Sequence, residues 1–90
     1  MRIENNVLYD VEQSDIINGT FTIPEGVVAI GNRAFFQCQS LKNINFPNSL
    51  KTIGKFAFTS CSNLEEITLP NSLESIDESA FSACTALKKS

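Results

Sequence analysis

The sequence predicts a repeat solenoid of the α/β type, in which short parallel strands alternate with turns and short helical segments. Three observations support this prediction: an offset of 23 residues aligns most of the distinctive residues, each repeat contains one alternating segment, and a proline closes that segment. One such unit buries too little apolar surface to be stable alone. The units must therefore stack, so that equivalent residues form continuous apolar columns.

Six columns of identical residues define the repeat. They are Pro24, Pro47 and Pro70; Ile30, Ile53 and Ile76; Ala34, Ala57 and Ala80; Phe35, Phe58 and Phe81; Cys38, Cys61 and Cys84; and Leu41, Leu64 and Leu87. The repeat region is predicted to span residues 20–90, with units at 24–46, 47–69 and 70–90, the last of them incomplete.

Within a unit, the alternation of apolar and polar residues over 64–69 predicts a half-buried strand. Pro70 ends it, because proline has no N–H for the strand ladder. Leu73 and Ile76 then return to the core. The small and apolar residues of 78–84 lie three to four positions apart, which predicts one or two helical or 3₁₀ turns.

The first 19 residues do not fit the repeat and are predicted to form an N-terminal β cap. Val7-Leu8-Tyr9 has the composition of a strand. Asn18-Gly19 predicts a tight turn, because both residues tolerate a left-handed backbone. Such a cap covers the otherwise exposed end of a stacked core, and Tyr9 is expected to pair with or pack against the first unit.

The pattern P-x-x-[VL]-x-x-I-G-x-x-A-F-x-x-C-x-x-L-x-x-I-x-[FL] runs from Pro24 to Phe46 and again from Pro47 to Leu69. It resembles the BspA-like (Treponema pallidum type) leucine-rich repeats, and only Asp77 and the short last unit depart from it. The resemblance implies a right-handed horseshoe with parallel strands on its concave face and turns on its convex side. It also implies a surface or secreted protein that adheres to other proteins, and it implies no catalytic residues.

Composition excludes several classes of function. A net charge of -3 and a pI near 4.7 oppose nucleic-acid binding, which needs clustered Lys and Arg. No apolar stretch approaches the roughly 20 residues of a membrane span, so membrane insertion is not expected. The N-terminus lacks the apolar core of a secretion signal. The chain is therefore expected to be cytosolic, or the mature part of a longer surface or secreted protein.

No catalytic or cofactor-binding constellation is present in the sequence. With no histidine, neither serine nor cysteine has an imidazole base, and there is no phosphate-binding glycine loop. The three cysteines are interpreted as a column of buried thiols, because equivalent side chains in stacked units point the same way. A disulfide and a metal site remain alternatives, the metal site opposed by the absence of histidine and of a CxxC pair.

Two groups of residues are candidates for binding a protein partner. Exposed strand positions form two polar columns, which are either a binding surface or simply a solvated face. Two phenylalanines stand in columns that are otherwise polar, and they either form a contact patch or pack under a loop. The candidates are Thr20, Thr22, Asn43, Asn45, Glu66, Thr68, Phe36 and Phe56. A basic stripe that recruits an acidic partner is an alternative; it comprises Arg33, Lys42, Lys51 and Lys55.

The leading functional hypothesis is a non-enzymatic module for protein interaction or adhesion, without cofactors. The alternative is a structural unit that associates with itself, through the open edge expected after Leu87.

Overall fold

The computed structural model describes residues 1–87, and it consists mainly of short strands joined by turns. The strands are β1 (Arg2–Glu4), β2 (Val7–Tyr9), β3 (Thr20–Thr22), β4 (Ala29–Ile30), β5 (Asn43–Asn45), β6 (Thr52–Ile53) and β7 (Ser75–Ile76). A 3₁₀ helix at Gln13–Asp15 is the only helix in this range. None of the described segments forms a helix long and apolar enough to cross a membrane. The predicted end of the third unit, residues 88–90, lies outside the described residues.

The strands form two sheets, and in both of them the 23-residue offset is the register between strands of the repeat units. In the larger sheet, in the order β1-β2-β4-β6-β7, the strands from β2 to β7 are parallel and β1 is antiparallel to β2. In the smaller sheet β3 and β5 are parallel, and Thr20 faces Asn43, its counterpart 23 residues later. Ala29 likewise faces Thr52. The parallel pairing is as predicted, but β4, β6 and β7 of the larger sheet form from segments that the sequence predicted only to return the chain to the core.

The N-terminal region matches its predicted local structure and adds a strand. Val7–Tyr9 is a strand, and it pairs with β4. Asn18 and Gly19 have φ values of 53° and 80°, so the tight turn forms as predicted. Strand β1 was not predicted, because two of its three residues, Arg2 and Glu4, are charged and lack the composition of a strand. The division into a cap and repeats stays a prediction.

The strand predicted over 64–69, at the end of the second unit, shortens to a single bridge between Asn43 and Glu66. Within residues 1–87 this segment has a ladder partner on one side only, so fewer hydrogen bonds hold it extended.

The segments predicted as helical turns are hydrogen-bonded turns without a helix. Ala34, Phe36 and Cys38 donate backbone hydrogen bonds to the residue three positions earlier, whereas the intervening N–H groups donate to the next unit. Phe35 N, for example, donates to Ala57 O at 2.7 Å. Arg33 and Gln37 have φ values of 62° and 59°, which a helix does not allow. Bonds between units therefore replace the bonds that a helix would make.

The aligned apolar columns form the core. The rings of Phe35 and Phe58 stack with centroids 4.6 Å apart, and Ile30 and Ile53 are each 1% exposed. The prediction that Ile76 is buried like its counterparts is wrong, because its side chain is 42% exposed. Within the described residues no further unit stacks on it.

Candidate functional site

The predicted polar columns lie on the β3–β5 ladder. Alternation along β5 buries Ile44 and exposes Asn43 and Asn45 on either side of it. On β3, Thr22 is exposed and Thr20 is half-buried. Asn45 Nδ2 donates to Thr22 Oγ1 at 3.1 Å, so neighbouring units are also tied through their side chains.

Four of the six polar candidates converge on one depression, with a volume of about 370 Å³. Its lining residues are Asn43, Ile44, Asn45, Phe46, Asn48, Glu66, Thr68 and Pro70. Thr20 and Thr22 lie on the same ladder but do not line it. The depression thus combines amide, carboxylate and hydroxyl groups with an apolar surface from Phe46 and Pro70.

Much of the hydrogen-bonding capacity of this depression is free. Among residues 1–87, neither the Asn43 amide nor the Glu66 carboxylate forms a side-chain hydrogen bond or ion pair with another residue. Asn45 uses one amide hydrogen for Thr22 and keeps its Oδ1 atom available. The surface can therefore accept hydrogen bonds from a partner and can donate through the Asn43 amide.

Sequence reasoning missed the apolar part of the depression. Pro70 was interpreted only as the residue that ends a strand, and Phe46 only as the last apolar position of the repeat pattern. Both residues are half-buried. The depth of the depression depends on side-chain packing, which periodicity does not describe.

Phe36 and Phe56 do not lie on the depression, and Arg33 joins them to each other. The Arg33 Cζ atom lies 5.4 Å from the centroid of the Phe36 ring and 5.2 Å from that of Phe56. Phe36 is 38% exposed and Phe56 is half-buried. The sequence carried a signal for this contact, because Arg33 and Phe56 are 23 residues apart and so are neighbours in one column.

The basic stripe is only partly available as an alternative. Lys51 Nζ lies 3.5 Å from Glu74 Oε2 in an exposed ion pair, which offsets its charge. Lys42 packs its aliphatic stem against Gly19. Arg33 and Lys55 are exposed and form no ion pair with another residue among 1–87.

The three thiols are free; Cys38 and Cys61 are buried, and Cys84 is half-buried. Burial raises the pKa of the Cys38 thiol to about 11 and that of Cys61 to about 12. At neutral pH these thiols are protonated and so poor nucleophiles. The cysteine column therefore acts in the core and is not a reactive site.

A family model described as a BspA type leucine rich repeat region (6 copies) matches residues 2–90. The chain belongs to the BspA-type leucine-rich repeat family. Its parallel strands and near-absence of helix within residues 1–87 are the leucine-rich repeat fold. Repeats of this family commonly mediate protein interaction and are typically non-enzymatic.

Among solved structures, the chain is similar to the crystal structure of the leucine-rich repeat protein of T. pallidum. The two share 30% sequence identity with a TM-score of 0.79, over 90% of this chain. The match spans 38% of the length of the T. pallidum chain. No curated protein shows a significant match. The assignment of particular residues to a binding surface stays a prediction.

Proposed function

We propose that this BspA-type chain is a protein-interaction module, and that it holds part of a protein partner in the depression on the β3–β5 ladder. The observation that carries the proposal is the convergence of Asn43, Asn45, Glu66 and Thr68 on one concavity that also has an apolar surface. Protein interfaces of transient partners combine polar groups and apolar contacts in this way. The proposal includes the finer geometry expected of the family, a right-handed horseshoe with this ladder on its concave side. It also includes adhesion to another protein as the form of interaction.

The unused hydrogen-bonding groups favour the depression, rather than the rest of the β3–β5 ladder, as the binding surface. Asn43 and Glu66 face each other across the bridge between units, so an amide and a carboxylate lie side by side. A partner segment that donates to Glu66 and accepts from Asn43 would satisfy both groups. Loss of one partner of such a bond leaves the other group unsatisfied, which makes both positions sensitive to substitution.

The test compares two neighbouring glutamates. Glu65 and Glu66 are both exposed, but only Glu66 lines the depression, so Glu65→Lys is a matched control for Glu66→Lys. Immobilised wild-type protein and both variants are exposed to cell-surface and cellular extracts, the captured protein is identified, and its affinity is measured with purified material. We expect Glu66→Lys to weaken binding by about tenfold or more and Glu65→Lys to leave it within about twofold. Equal binding by both variants would contradict the proposal.

The second candidate function is an assembly unit that associates with itself. It is favoured by β7, which within residues 1–87 has the neighbour β6 on one side only and leaves Ile76 exposed. Light scattering over a tenfold or wider concentration range in reducing buffer tests it. Growth of the mass with concentration, lost in Ile76→Lys, supports assembly, and a monomer throughout contradicts it.

A further inference from the structure

Arg33, Phe36 and Phe56 form a surface cluster that shares no residue with the depression, and we name it the arginine cluster. The Arg33 guanidinium lies within 5.4 Å of the centroids of both rings. Contacts of this kind are favourable because the ring face attracts the cation. The two contacts therefore favour one arrangement of the three side chains, although Arg33 and Phe36 are exposed to solvent.

The fold does not require these residues. In the third unit, serine occupies both equivalent positions, at Ser79 and Ser82, and the turn is retained: Ser82 N donates to Ser79 O at 3.2 Å, as Phe36 N donates to Arg33 O at 3.1 Å. Phe56 also has φ of 57°, a left-handed conformation that is unfavourable for a bulky side chain. The turn forms equally with serine at the equivalent positions of the third unit, so the turn itself does not explain the two phenylalanines.

The arginine cluster offers hydrogen-bond donors in one plane. The guanidinium has five N–H donors around its edge. No side-chain hydrogen bond or ion pair joins Arg33 to another residue of 1–87, while its contacts with the rings restrict its movement. A carboxylate matches this edge, because its two oxygens accept two parallel N–H bonds. The exposed side chain of Lys55, next to Phe56 in the chain, adds a second positive charge.

We propose that the arginine cluster binds an acidic segment of another protein, in which a carboxylate pairs edge-on with Arg33 and a neighbouring apolar side chain contacts Phe36 and Phe56. We choose an acidic partner because its charge complements that of the cluster. The cluster presents cations, and no carboxylate of residues 1–87 pairs with Arg33. The restricted arginine lowers the entropy cost of binding. Protein interfaces are also enriched in arginine and in aromatic residues, phenylalanine included.

The experiment follows the Nε–Hε signal of Arg33 by NMR in the isotopically labelled full chain. The probe is a short peptide, blocked at both ends, in which Glu and Leu alternate, and the matched probe replaces every Glu by Gln. We expect the Glu peptide to shift this signal in a saturable manner and the Gln peptide to bind about tenfold more weakly or not at all. Equal binding of the two peptides would overturn the proposal.

Variants separate the arginine edge from simple charge. Arg33→Lys keeps the charge but loses the planar donors, and we expect it to weaken binding of the Glu peptide by about fivefold or more. Arg33→Lys also removes the Nε–Hε group whose signal is followed in the wild type. In the variants, binding is therefore measured from backbone amide signals. Lys42→Gln removes a positive charge elsewhere and should bind within about twofold of the wild type. Equal binding by Arg33→Lys and the wild type would overturn the assignment to the arginine edge.

The double variant with Phe36→Ser and Phe56→Ser tests the rings. It introduces residues that equivalent positions of the third unit already carry, so it should fold, and we expect weaker binding by about threefold to tenfold. Unchanged binding would remove the rings from the proposal. If the Arg33 signal instead moves with protein concentration when no peptide is present, the occupant is a second copy, which overturns the assignment to another protein. These readouts are independent of Glu66, so failure of the depression as a binding site would not affect them.

Discussion

The Cys61 thiol donates a hydrogen bond to the backbone carbonyl oxygen of Phe35, with Sγ 2.9 Å from the oxygen. Cys84 makes the equivalent contact with Phe58 at 3.0 Å. Each acceptor belongs to the turn segment of the preceding unit. The cysteine column therefore ties successive turn segments together, where no helix supplies internal bonds.

We expect Cys61→Ala to lower the free energy of unfolding by about 1–3 kcal/mol, because it removes a buried sulfur and its hydrogen bond. Denaturant unfolding in reducing buffer measures the change. Cys84→Ala is the matched control, since the same atoms are removed from a half-buried position. The loss should be smaller there. Equal losses would mean that burial does not determine the contribution of the column.

The raised thiol pKa values predict a loss of stability at alkaline pH. Folded Cys61 keeps its proton up to a pKa of about 12, whereas the thiol of the unfolded chain, with an ordinary pKa of 9.0, ionises earlier. The unfolded chain therefore releases protons first, and the free energy of unfolding should fall as the pH rises from about 9 towards 12. Below about pH 9 this contribution is fully present.

The measurement is denaturant unfolding at several pH values, in the wild type and in Cys61→Ala. All other ionisable groups are common to the two proteins, so the comparison of slopes isolates the Cys61 thiol. The variant should lose stability with pH less steeply than the wild type. Parallel slopes would show that Cys61 does not contribute to the pH dependence.

The columns of the core were predictable because, in stacked units, the offset between repeats is also the register between strands. Leu41 and Leu64 are both fully buried, as their shared column predicts. The turn segments were not predictable in the same way. Apolar residues three to four apart fit both a helix and successive turns, and the left-handed residues that decide between them include Arg33 and Phe56, whose types do not announce that conformation.

The candidate site was predictable only in its polar part. Alternation identifies Asn43 and Asn45 as exposed, but a depression also needs the packing of Phe46, which no period encodes. The 23-residue offset also predicts that Arg33 and Phe56 are neighbours. It does not predict how the ring is oriented, and that orientation decides whether the guanidinium lies over the ring face. Column neighbours are thus predictable, and the shape they form is not.

Gly54 is expected to be intolerant of any side chain. A Cβ atom there would lie 2.9 Å from both Asn32 N and Ile30 O, which are backbone atoms of the preceding unit. Gly54→Ala should therefore destabilise the protein by about 2 kcal/mol or more, measured by denaturant unfolding.

The same column supplies the control for this change. Asp77 already carries a Cβ at the equivalent position, so Asp77→Ala should change stability by less than about 1 kcal/mol, despite losing the contact of Asp77 Oδ1 with Glu78 N. If Gly54→Ala changed the free energy of unfolding as little as Asp77→Ala does, the two units would not approach each other as closely at Gly54 as described.

Ile53 and Ile76 occupy one column but differ in burial, at 1% and 42% exposed. Ile53→Ala should cost about 2–5 kcal/mol, because it leaves a cavity between units. Ile76→Ala should cost about 1 kcal/mol, since part of that side chain already contacts solvent. Denaturant unfolding at low and high protein concentration measures both. If Ile76→Ala lowers the free energy of unfolding as much as Ile53→Ala does, and only at high protein concentration, a second copy of the chain covers the β7 edge. Assembly would then replace partner binding as the better proposal.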